Sequence, residues 1–586
     1  MTQKDVIASL PAHLRPFVKL QDYEQQYTPR DHAAWRFLMA ALTRSLRDTA
    51  HAVYLEGLER TGIALDHIPS IDEMNACLAK IGWRAVVVDG FIPPAIFMEF
   101  QALKVLVIAL EMRSVEHLLY TPAPDILHES AGHAPFIVDV DYAEFLQRFG
   151  EIGMKAISNR HDMAIYEAIR ALSILKESPT STAQEIEAAQ RRLESLSAAD
   201  VQPSEAALLT RLHWWTVEYG LVGEMDDYRI FGAGLLSSLG ESQSCLDDSR
   251  VRKIPLTVNA VETAYDITAE QPQLFVTRSC KHLSQVLNEF AASMAFAQGG
   301  AVGLRRAMES QTVCTAQYDS GVQVSGVIDE ILCDAVGNVT YLRTRGPTQL
   351  AWKDTELYGH GIEYHREGFG SPVGLLKDFS RCLSEYTFDE LKAHRIIIGE
   401  RVRLEFLSGI VVEGNLNAIV RQEHRNLLLS FDDCTVTALD GRVLFDPSWG
   451  CFDMAVGGTV ESVFGGAADR ERYQLYEALP ASTARRQDHD AQLMGAYEFL
   501  ADLSRSPQGI DACAERVLAF FDSYPREWLL RAEALRAAEL VPALAVVCER
   551  AVADLRSALP GPQYQSALSF ALPGYFSTSA SIAQQA

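Results

Sequence analysis

The spacing of apolar residues along the first third of the chain predicts a mainly helical region. Trp35, Leu38, Leu42 and Leu46 recur every three or four residues, which places their side chains on one face of a helix. We interpret this stripe, and the others like it, as surfaces that face a core. The pattern predicts a short strand over residues 84 to 89 and helices over residues 33 to 60, 70 to 81 and 94 to 110.

Beyond residue 300 the pattern changes to short runs of β-favouring residues separated by Gly, Asn and Asp. These runs predict a small antiparallel barrel or sandwich with strands at residues 322 to 329, 339 to 344, 402 to 407, 410 to 413 and 427 to 431. Helical periodicity then returns and predicts a bundle with helices at residues 489 to 505, 510 to 523, 527 to 539 and 542 to 558.

These changes of pattern predict a multidomain protein, since 586 residues exceed what a single core usually holds. We expect a mostly α-helical catalytic domain at residues 1 to 300. A β-rich module of unknown role follows at residues 301 to 470, and a helical module at residues 471 to 586 completes the chain.

Composition and charge narrow the class of protein. Hydrophobic residues at 48% and charged residues at 22% are typical of globular proteins. The formal charge of −25 argues against nucleic acid or an anionic membrane as a partner, because phosphate groups would repel the chain. The sequence has no secretory signal pattern and no apolar stretch of membrane-spanning length, so we expect a cytoplasmic protein. The oligomeric state is left open.

Two histidines and a distant carboxylate are the strongest chemical signal. His128 and His133 lie in the run from Tyr120 to His133, and Glu218 follows two tryptophans in the run from Trp214 to Gly220. Alone, each would more often be an ordinary structural residue. Together they form a set that binds one face of Fe(II) and leaves the opposite positions open for oxygen chemistry.

The separation of the two histidines requires irregular backbone. Zinc proteases place their histidines four residues apart on one helix face, whereas His128 and His133 are five apart, roughly 140° around an ideal helix. They converge on one ion if His128 lies at an irregular helix start. The prolines before it and the capping ability of Asp125 favour such a start, and Gly132 allows a close approach beside His133.

Three ordered blocks carry a family resemblance. Residues 120 to 135, 214 to 220 and 231 to 241 resemble the signature blocks of the pterin-dependent aromatic amino acid hydroxylases, and the likeness extends over about the first 300 residues. It implies a monooxygenase that uses Fe(II), a tetrahydropterin and O2 to convert phenylalanine to tyrosine. Tyrosine, tryptophan or another aromatic metabolite remains an alternative substrate. The resemblance implies nothing about the remaining residues.

The resemblance also implies roles for individual residues. His128, His133 and Glu218 match the iron ligands, and Glu129 matches a residue directed toward the pterin. Arg113 would bind the substrate carboxylate, and Asp125 would hold that arginine in place. The other residues assigned to the substrate pocket are Thr121, Pro124, Trp214 and Ser237, and those assigned to the pterin are Gly90, Ile92 and Phe97, the last by stacking.

One segment departs from the family pattern. The stretch between His133 and Glu218 is longer than the resemblance leads us to expect, and we predict a helical insertion at about residues 160 to 200. Helices at residues 163 to 176 and 183 to 196, split by a Pro- and Ser/Thr-containing turn, would account for it.

Two other classes of function remain open at this stage. A zinc metallohydrolase would use Glu129 as general base between His128 and His133, although the five-residue separation argues against it. A non-catalytic binding protein would depend on the C-terminal half, which resembles no family that the motifs indicate.

Overall fold

The protein is described by a computed structural model that covers residues 1–88, 92–115, 118, 124–177, 181–199, 201–267, 269–476, 490–505 and 513–576. In this part of the chain every helix is too short or too polar to cross a membrane.

Helices dominate the first 310 residues. They are α1 Gln3–Ser9, α2 Tyr23–Gln26, α3 Pro29–Ser45, α4 Val53–Arg60, α5 Ile71–Leu78, α6 Pro94–Ala102, α7 Val140–Gly153, α8 Arg160–Glu177, α9 Ala183–Ser197, α10 Glu205–His213, α11 Ala233–Leu236, α12 Glu241–Ser244, α13 Cys280–Ala292, α14 Ala295–Gln298 and α15 Gly300–Ser310. Short 3-10 helices lie at Arg15–Phe17, Ala79–Ile81, Ala134–Val138 and Val258–Glu262.

Two small sheets accompany these helices. Their strands are β1 Arg84–Val88, β2 Val105–Ala109, β3 Leu221–Glu224, β4 Asp227–Ile230, β5 Arg252–Pro255 and β6 Gln273–Thr277. Strands β1 and β2 pair in parallel, and the other four form a sheet of order β4-β3-β6-β5.

Two of the predicted helices are wrong in part. The helix predicted over residues 33 to 60 is two helices, α3 and α4, separated by residues 46–52. The helix predicted over residues 94 to 110 ends at Ala102, and its second half is strand β2. Lys104 reverses the chain with a φ of 57°, and the apolar run after it pairs with β1. A short continuous apolar run suits a buried strand as well as a buried helix, so periodicity alone misassigned it.

The predicted helical pair at residues 163 to 176 and 183 to 196 is confirmed as α8 and α9. Thr182 caps α9, since its side chain accepts from the Glu185 amide while the Glu185 carboxylate accepts from the Thr182 amide. None of the residues of α9 is buried, so this helix lies on the surface.

The predicted strands beyond residue 300 are confirmed, and most are longer than predicted. The strands are β7 Val313–Tyr318, β8 Val322–Cys333, β9 Val339–Trp352, β10 Thr355–Glu356, β11 Gly368–Pro372, β12 Arg401–Glu405, β13 Val411–Gln422, β14 Arg425–Thr437, β15 Val443–Phe445, β16 Phe452–Ala455 and β17 Val460–Gly465. Helix α16 Phe388–Ala393 and 3-10 turns at Leu383–Glu385 and Pro447–Trp449 lie among them.

These strands form two antiparallel sheets, each with its own buried apolar cluster. The first has the order β10-β9-β8-β7-β17, with β11 also paired to β9. The second has the order β12-β13-β14-β15, with β16 also paired to β14.

The C-terminal helices are α17 Ala491–Arg505, α18 Cys513–Ser523, α19 Trp528–Ala538, α20 Ala545–Ala558 and α21 Pro562–Ala571, with a 3-10 turn at Pro542–Leu544. The first four agree with the predicted positions, and α21 was not predicted. Helix α19 packs on α3, where the Phe37 and Trp528 rings meet edge to face with centroids 5.3 Å apart. Arg36 and Glu533 form an ion pair of 2.8 Å whose side chains are 5% and 2% exposed. The C-terminal helices and the N-terminal region therefore share one continuous core.

Candidate functional site

Two π-helical segments carry the three residues of the proposed metal site. His128 and His133 lie in the segment Leu127–His133. Glu218 is the last residue of the segment Trp214–Glu218. A π-helix joins residues i and i+5 by hydrogen bonds, so side chains five apart lie on nearly the same side. The irregular backbone that the spacing required therefore spans both histidines rather than only the first.

The three side chains present their donor atoms to one point. His128 Nε2 lies 3.1 Å from His133 Nε2 and 3.3 Å from a Glu218 carboxylate oxygen. The other Glu218 oxygen lies 3.4 Å from His133 Nε2. Neighbouring ligands of an ion bound at about 2.1 Å are separated by about 3 Å, so the donor set fits a divalent ion.

Gly132 allows the close packing that positions His133. A Cβ atom on Gly132 would lie 2.8 Å from the carbonyl oxygen of Ala233, the first residue of α11. Any side chain there would push the π-helical segment away from α11. Gly132 therefore lets the helix that bears His133 lie directly against the segment that bears Ser237.

The electrostatics of the cluster suit a cation. Burial alone would raise the pKa of the Glu218 carboxyl, but the facing His133 and His128 imidazoles hold that pKa well below its ordinary value. Burial likewise opposes the charged form of His133, and Glu218 nevertheless raises the pKa of His133. A divalent ion would replace the proton that these groups share, because ligation requires a neutral imidazole and an ionised carboxylate.

Ser237 fixes the orientation of His128. The Ser237 hydroxyl donates to the carbonyl oxygen of Ala233 at 2.8 Å, and its oxygen lies 3.0 Å from His128 Nδ1. Since the hydroxyl proton is already used, Nδ1 of His128 carries the proton and donates it to Ser237. The lone pair of His128 is thereby left on Nε2, the nitrogen that faces His133 and Glu218.

Replacing Ser237 with alanine should therefore weaken iron binding. The variant leaves His128 Nδ1 without its acceptor, and loss of such an orienting partner typically lowers metal affinity by about 10–100-fold. Titration of the apoprotein with Fe(II) would measure the change. Ser238→Ala is the matched control, because the Ser238 hydroxyl contacts the Glu241 amide instead of His128. Equal iron affinity in Ser237→Ala and wild type would contradict this role.

Arg113 and Asp125 form a buried pair next to the metal site. The Asp125 carboxylate accepts from Arg113 Nε and from one terminal guanidinium nitrogen, both at 2.8 Å, and from the His128 backbone amide at 3.0 Å. A second terminal nitrogen of Arg113 donates to the carbonyl oxygen of Ser237 at 3.1 Å. Asp125 therefore caps the π-helical segment and holds Arg113 at the same time.

Glu129 and Phe97 lie on the side assigned to the pterin. The Glu129 carboxylate is 3.9 Å from His133 Nε2, its side chain is 14% exposed, and burial raises its pKa. Phe97 is half-buried in α6, and its ring meets the edge of His213 with centroids 6.0 Å apart. Ile92 is half-buried just before α6. An apolar ring near an acidic group suits a flat heterocycle with polar edges.

The remaining predicted residues lie in different settings. The Trp214 indole stacks between Tyr219 and Tyr265, with centroid distances of 4.6 and 4.3 Å. Pro124 is exposed, immediately before Asp125. Gly90 and Thr121 lie outside the described residues.

The sequence prediction missed His213. This buried histidine directly precedes Trp214 and brings its Nδ1 within 3.7 Å of a Glu218 oxygen. It also packs against Phe97 and Phe149, so it lies between the histidine–glutamate cluster and the phenylalanine assigned to the pterin. Its position directly before the second signature block was the available signal.

Glu241, a buried acid at the end of the third signature block, should make stability depend on pH. Burial raises the pKa of its carboxyl to about 7, against roughly 4.3 for an unfolded glutamate. Between these values the unfolded chain loses the proton that the folded chain keeps, so stability falls as the pH rises from about 4 to about 7. In Glu241→Gln we expect a smaller fall in the thermal midpoint between pH 5 and 7.5 than in wild type.

The exposed Glu224, substituted by glutamine, is the control for this pH dependence. It should keep the wild-type fall in midpoint. A Glu241→Gln protein with the same fall would show that another group titrates instead.

The region that forms this site matches a known protein family. Residues 5–168 and 181–299 match the family described as biopterin-dependent aromatic amino acid hydroxylase. Residues 169–180 are unmatched and fall within the segment predicted to be an insertion, and residues 169–177 of this stretch form the second half of α8.

Curated relatives match the same region. The phenylalanine-4-hydroxylase of Pseudomonas aeruginosa is 30% identical over 264 residues, which is 45% of this chain and 84% of the relative. The phenylalanine-4-hydroxylase of Chromobacterium violaceum is 30% identical over 260 residues, 44% of this chain and 73% of the relative. A solved structure of the Chromobacterium violaceum enzyme with bound iron(III) and 7,8-dihydrobiopterin is 26% identical, with a TM-score of 0.38, and covers 50% of this chain and 91% of that one.

Proposed function

The chain belongs to the biopterin-dependent aromatic amino acid hydroxylases, and from this membership we propose that it converts L-phenylalanine to L-tyrosine with O2, Fe(II) and a tetrahydropterin. The convergence of His128, His133 and Glu218 on one point is the observation that supports the proposal most directly. In the balanced reaction, one oxygen atom enters the ring and the other leaves as water, with the pterin supplying two electrons.

The side chains have distinct tasks in this reaction. His128, His133 and Glu218 would hold the ion, and the bound iron and pterin together supply the reductive activation of O2. Ser237 keeps the His128 lone pair on Nε2, and Asp125 orients Arg113. Arg113 would pair with the carboxylate of the amino acid and so set the position of its ring.

Glu129 and Phe97 would receive the pterin, together with Ile92 and Gly90. The aromatic face of Phe97 offers a stacking surface, and the Glu129 carboxyl offers a polar partner beside the metal site. Trp214, held between two tyrosines, would give the substrate side a rigid wall. Thr121 and Pro124 are assigned to the substrate pocket by the family resemblance alone. These assignments come from the family resemblance and are supported by the positions of the described residues.

We also propose the division into residues 1 to 300, 301 to 470 and 471 to 586, in which the helices of the third range pack on the first and share its core. The change from helices to strands after α15 and the separate apolar clusters of the two β-sheets support the first boundary. A cytoplasmic location without nucleic-acid or membrane partners remains a prediction from composition.

Product analysis tests the function. The apoprotein is reconstituted with Fe(II), tetrahydropterin and O2, and phenylalanine, tyrosine and tryptophan are offered in parallel, with His128→Ala as control. Tyrosine formed from phenylalanine only with iron, and lost in the control, is the expected result.

Other outcomes of that assay change the proposal in defined ways. Conversion of tyrosine or tryptophan alone would keep the chemistry and change the substrate. Hydrolytic activity that depends on zinc and needs no O2 would replace the proposal by a metallohydrolase. Binding of iron with no product from any of the three would overturn phenylalanine as the substrate.

A further inference from the structure

A second group of two imidazoles and a carboxylate lies in the β-rich region. His360 and His365 belong to the connection between β10 and β11, and Asp453 lies in β16. The three residues are buried, with 9%, 8% and 5% of their surface exposed. Their donor atoms all lie within 4.8 Å of one another. We infer that His360, His365 and Asp453 form a second divalent metal site, of the type that binds zinc.

The distances suit tetrahedral coordination. His360 Nδ1 lies 3.2 Å from His365 Nε2 and 3.9 Å from a carboxylate oxygen of Asp453. Ligands of a tetrahedral zinc ion bound at about 2.0–2.1 Å are separated by roughly 3.3 Å. The two histidine nitrogens already have this spacing, and the carboxylate oxygen, 3.9 Å from His360 Nδ1 and within 4.8 Å of the other donor atoms, would have to move toward them.

Backbone hydrogen bonds hold both histidines in place. The carbonyl oxygen of His360 accepts from the Leu350 amide at 2.9 Å, and that of His365 accepts from the Thr348 amide at 3.1 Å. Leu350 and Thr348 are alternate residues of β9. The connection that bears the histidines is therefore fastened to the first sheet, and the site does not depend on a free loop.

Asp453 approaches from the second sheet with one oxygen already occupied. The Ser430 hydroxyl in β14 donates to one Asp453 oxygen, and the other oxygen is the one that faces His360. Ser430 thus orients the carboxylate in the way that outer partners orient metal ligands. Because β9 and β16 belong to different sheets, an ion bound here would join the two sheets.

A hydrogen bond between the two imidazoles is the alternative explanation of the cluster. One ring nitrogen could carry a proton and the other accept it, and the 3.2 Å distance allows this. That arrangement leaves the Asp453 oxygen 3.9 Å from His360, too far for a hydrogen bond to the ring. An ion between the three groups would contact all of them, which favours the metal site.

One side of the cluster is bordered by an exposed residue. Tyr364 is 54% exposed, and its ring contacts the His360 and His365 rings with centroids 5.5 and 4.7 Å apart. Cys451 is also exposed. A zinc ion could enter from this side and take water as its fourth ligand, since Cys451 is not among the donor atoms that lie within 4.8 Å of one another.

Zinc content of the full-length protein tests the inference, in a background that removes the first site. After chelation and reloading, His128→Ala/His133→Ala should bind one Zn²⁺ per chain. Adding His360→Ala/His365→Ala should reduce this to none, whereas adding His394→Ala should not. His394 is a suitable control because it stacks on Phe379 in the same region, outside the cluster.

A second measurement covers the case in which the alanine variants fail to fold. Asp453→Asn keeps the size of the side chain and an acceptor for Ser430, and it should lose the rise in thermal midpoint that Zn²⁺ gives the His128→Ala/His133→Ala protein. The inference would be overturned if the His128→Ala/His133→Ala protein bound no zinc. It would also be overturned if zinc were retained after His360 and His365 are replaced.

Discussion

Replacing Glu218 with glutamine should abolish stable iron binding and reduce phenylalanine hydroxylation by about 10³-fold, more than the 10–100-fold typical of residues that only orient ligands. Glu218 supplies the negative charge among the three donors, and both of its oxygens lie within 3.4 Å of a histidine Nε2. An amide has nearly the same shape but carries no charge, so the ion would face two neutral imidazoles and a weak oxygen donor.

Iron content per chain and single-turnover product yield measure this effect together. Glu129→Gln is the matched control, because Glu129 is also a buried glutamate in the site but lies outside the donor set. The control should keep its iron and require more pterin for half-maximal rate. Normal iron content in Glu218→Gln would refute the assigned ligand set.

The residues of the metal site could be predicted from the sequence, but the backbone that unites them could not. The five-residue spacing of His128 and His133 indicated irregular structure, and the structure provides a π-helix over both residues. π-helices are rare, and no residue preference in this segment distinguishes one from an irregular helix start. The partner of His128, Ser237, lies more than a hundred residues away, so no local pattern indicates their contact.

Errors in the predicted elements occurred where local pattern is ambiguous. Residues 105–109 are apolar on both faces because β2 is buried beside β1, and such a run has neither the period of a strand nor that of a surface helix. The partner strand that decides the matter lies about twenty residues earlier in the sequence. Residues 105–109 form a strand because they pair with β1, and the local sequence pattern does not show that pairing.

The apolar faces of the C-terminal helices were visible in the sequence, but the surface that covers them was not. Trp528 packs against Phe37, and Glu533 pairs with Arg36, across almost five hundred residues. Periodicity identifies a face that must be buried and does not identify its partner. The apolar periodicity of these helices would be the same whether they packed on each other or on the N-terminal region.

Replacing Asp125 with asparagine should lower the stability of the catalytic region by about 3–5 kcal/mol, because it leaves the charge of Arg113 buried without its partner. Burial alone would raise the pKa of the Asp125 carboxyl, but Arg113 and the hydrogen bonds it donates hold that pKa below its ordinary value. The side chains of the pair are 1% and 4% exposed, so water cannot replace the lost contact.

An exposed pair of the same chemistry provides the control. Arg229 and Asp227 form an ion pair of 2.7 Å with side chains 46% and 74% exposed, against 2.8 Å for Arg113 and Asp125. Asp227→Asn should cost less than about 1 kcal/mol, because solvent screens an exposed pair. The two ion pairs have nearly the same N···O distance, so the difference in thermal midpoint between the two variants reports the effect of burial. We expect Asp125→Asn to lower the midpoint by about 10 °C. Equal, small shifts in the two variants would contradict the role of Asp125 as the buried partner of the Arg113 charge.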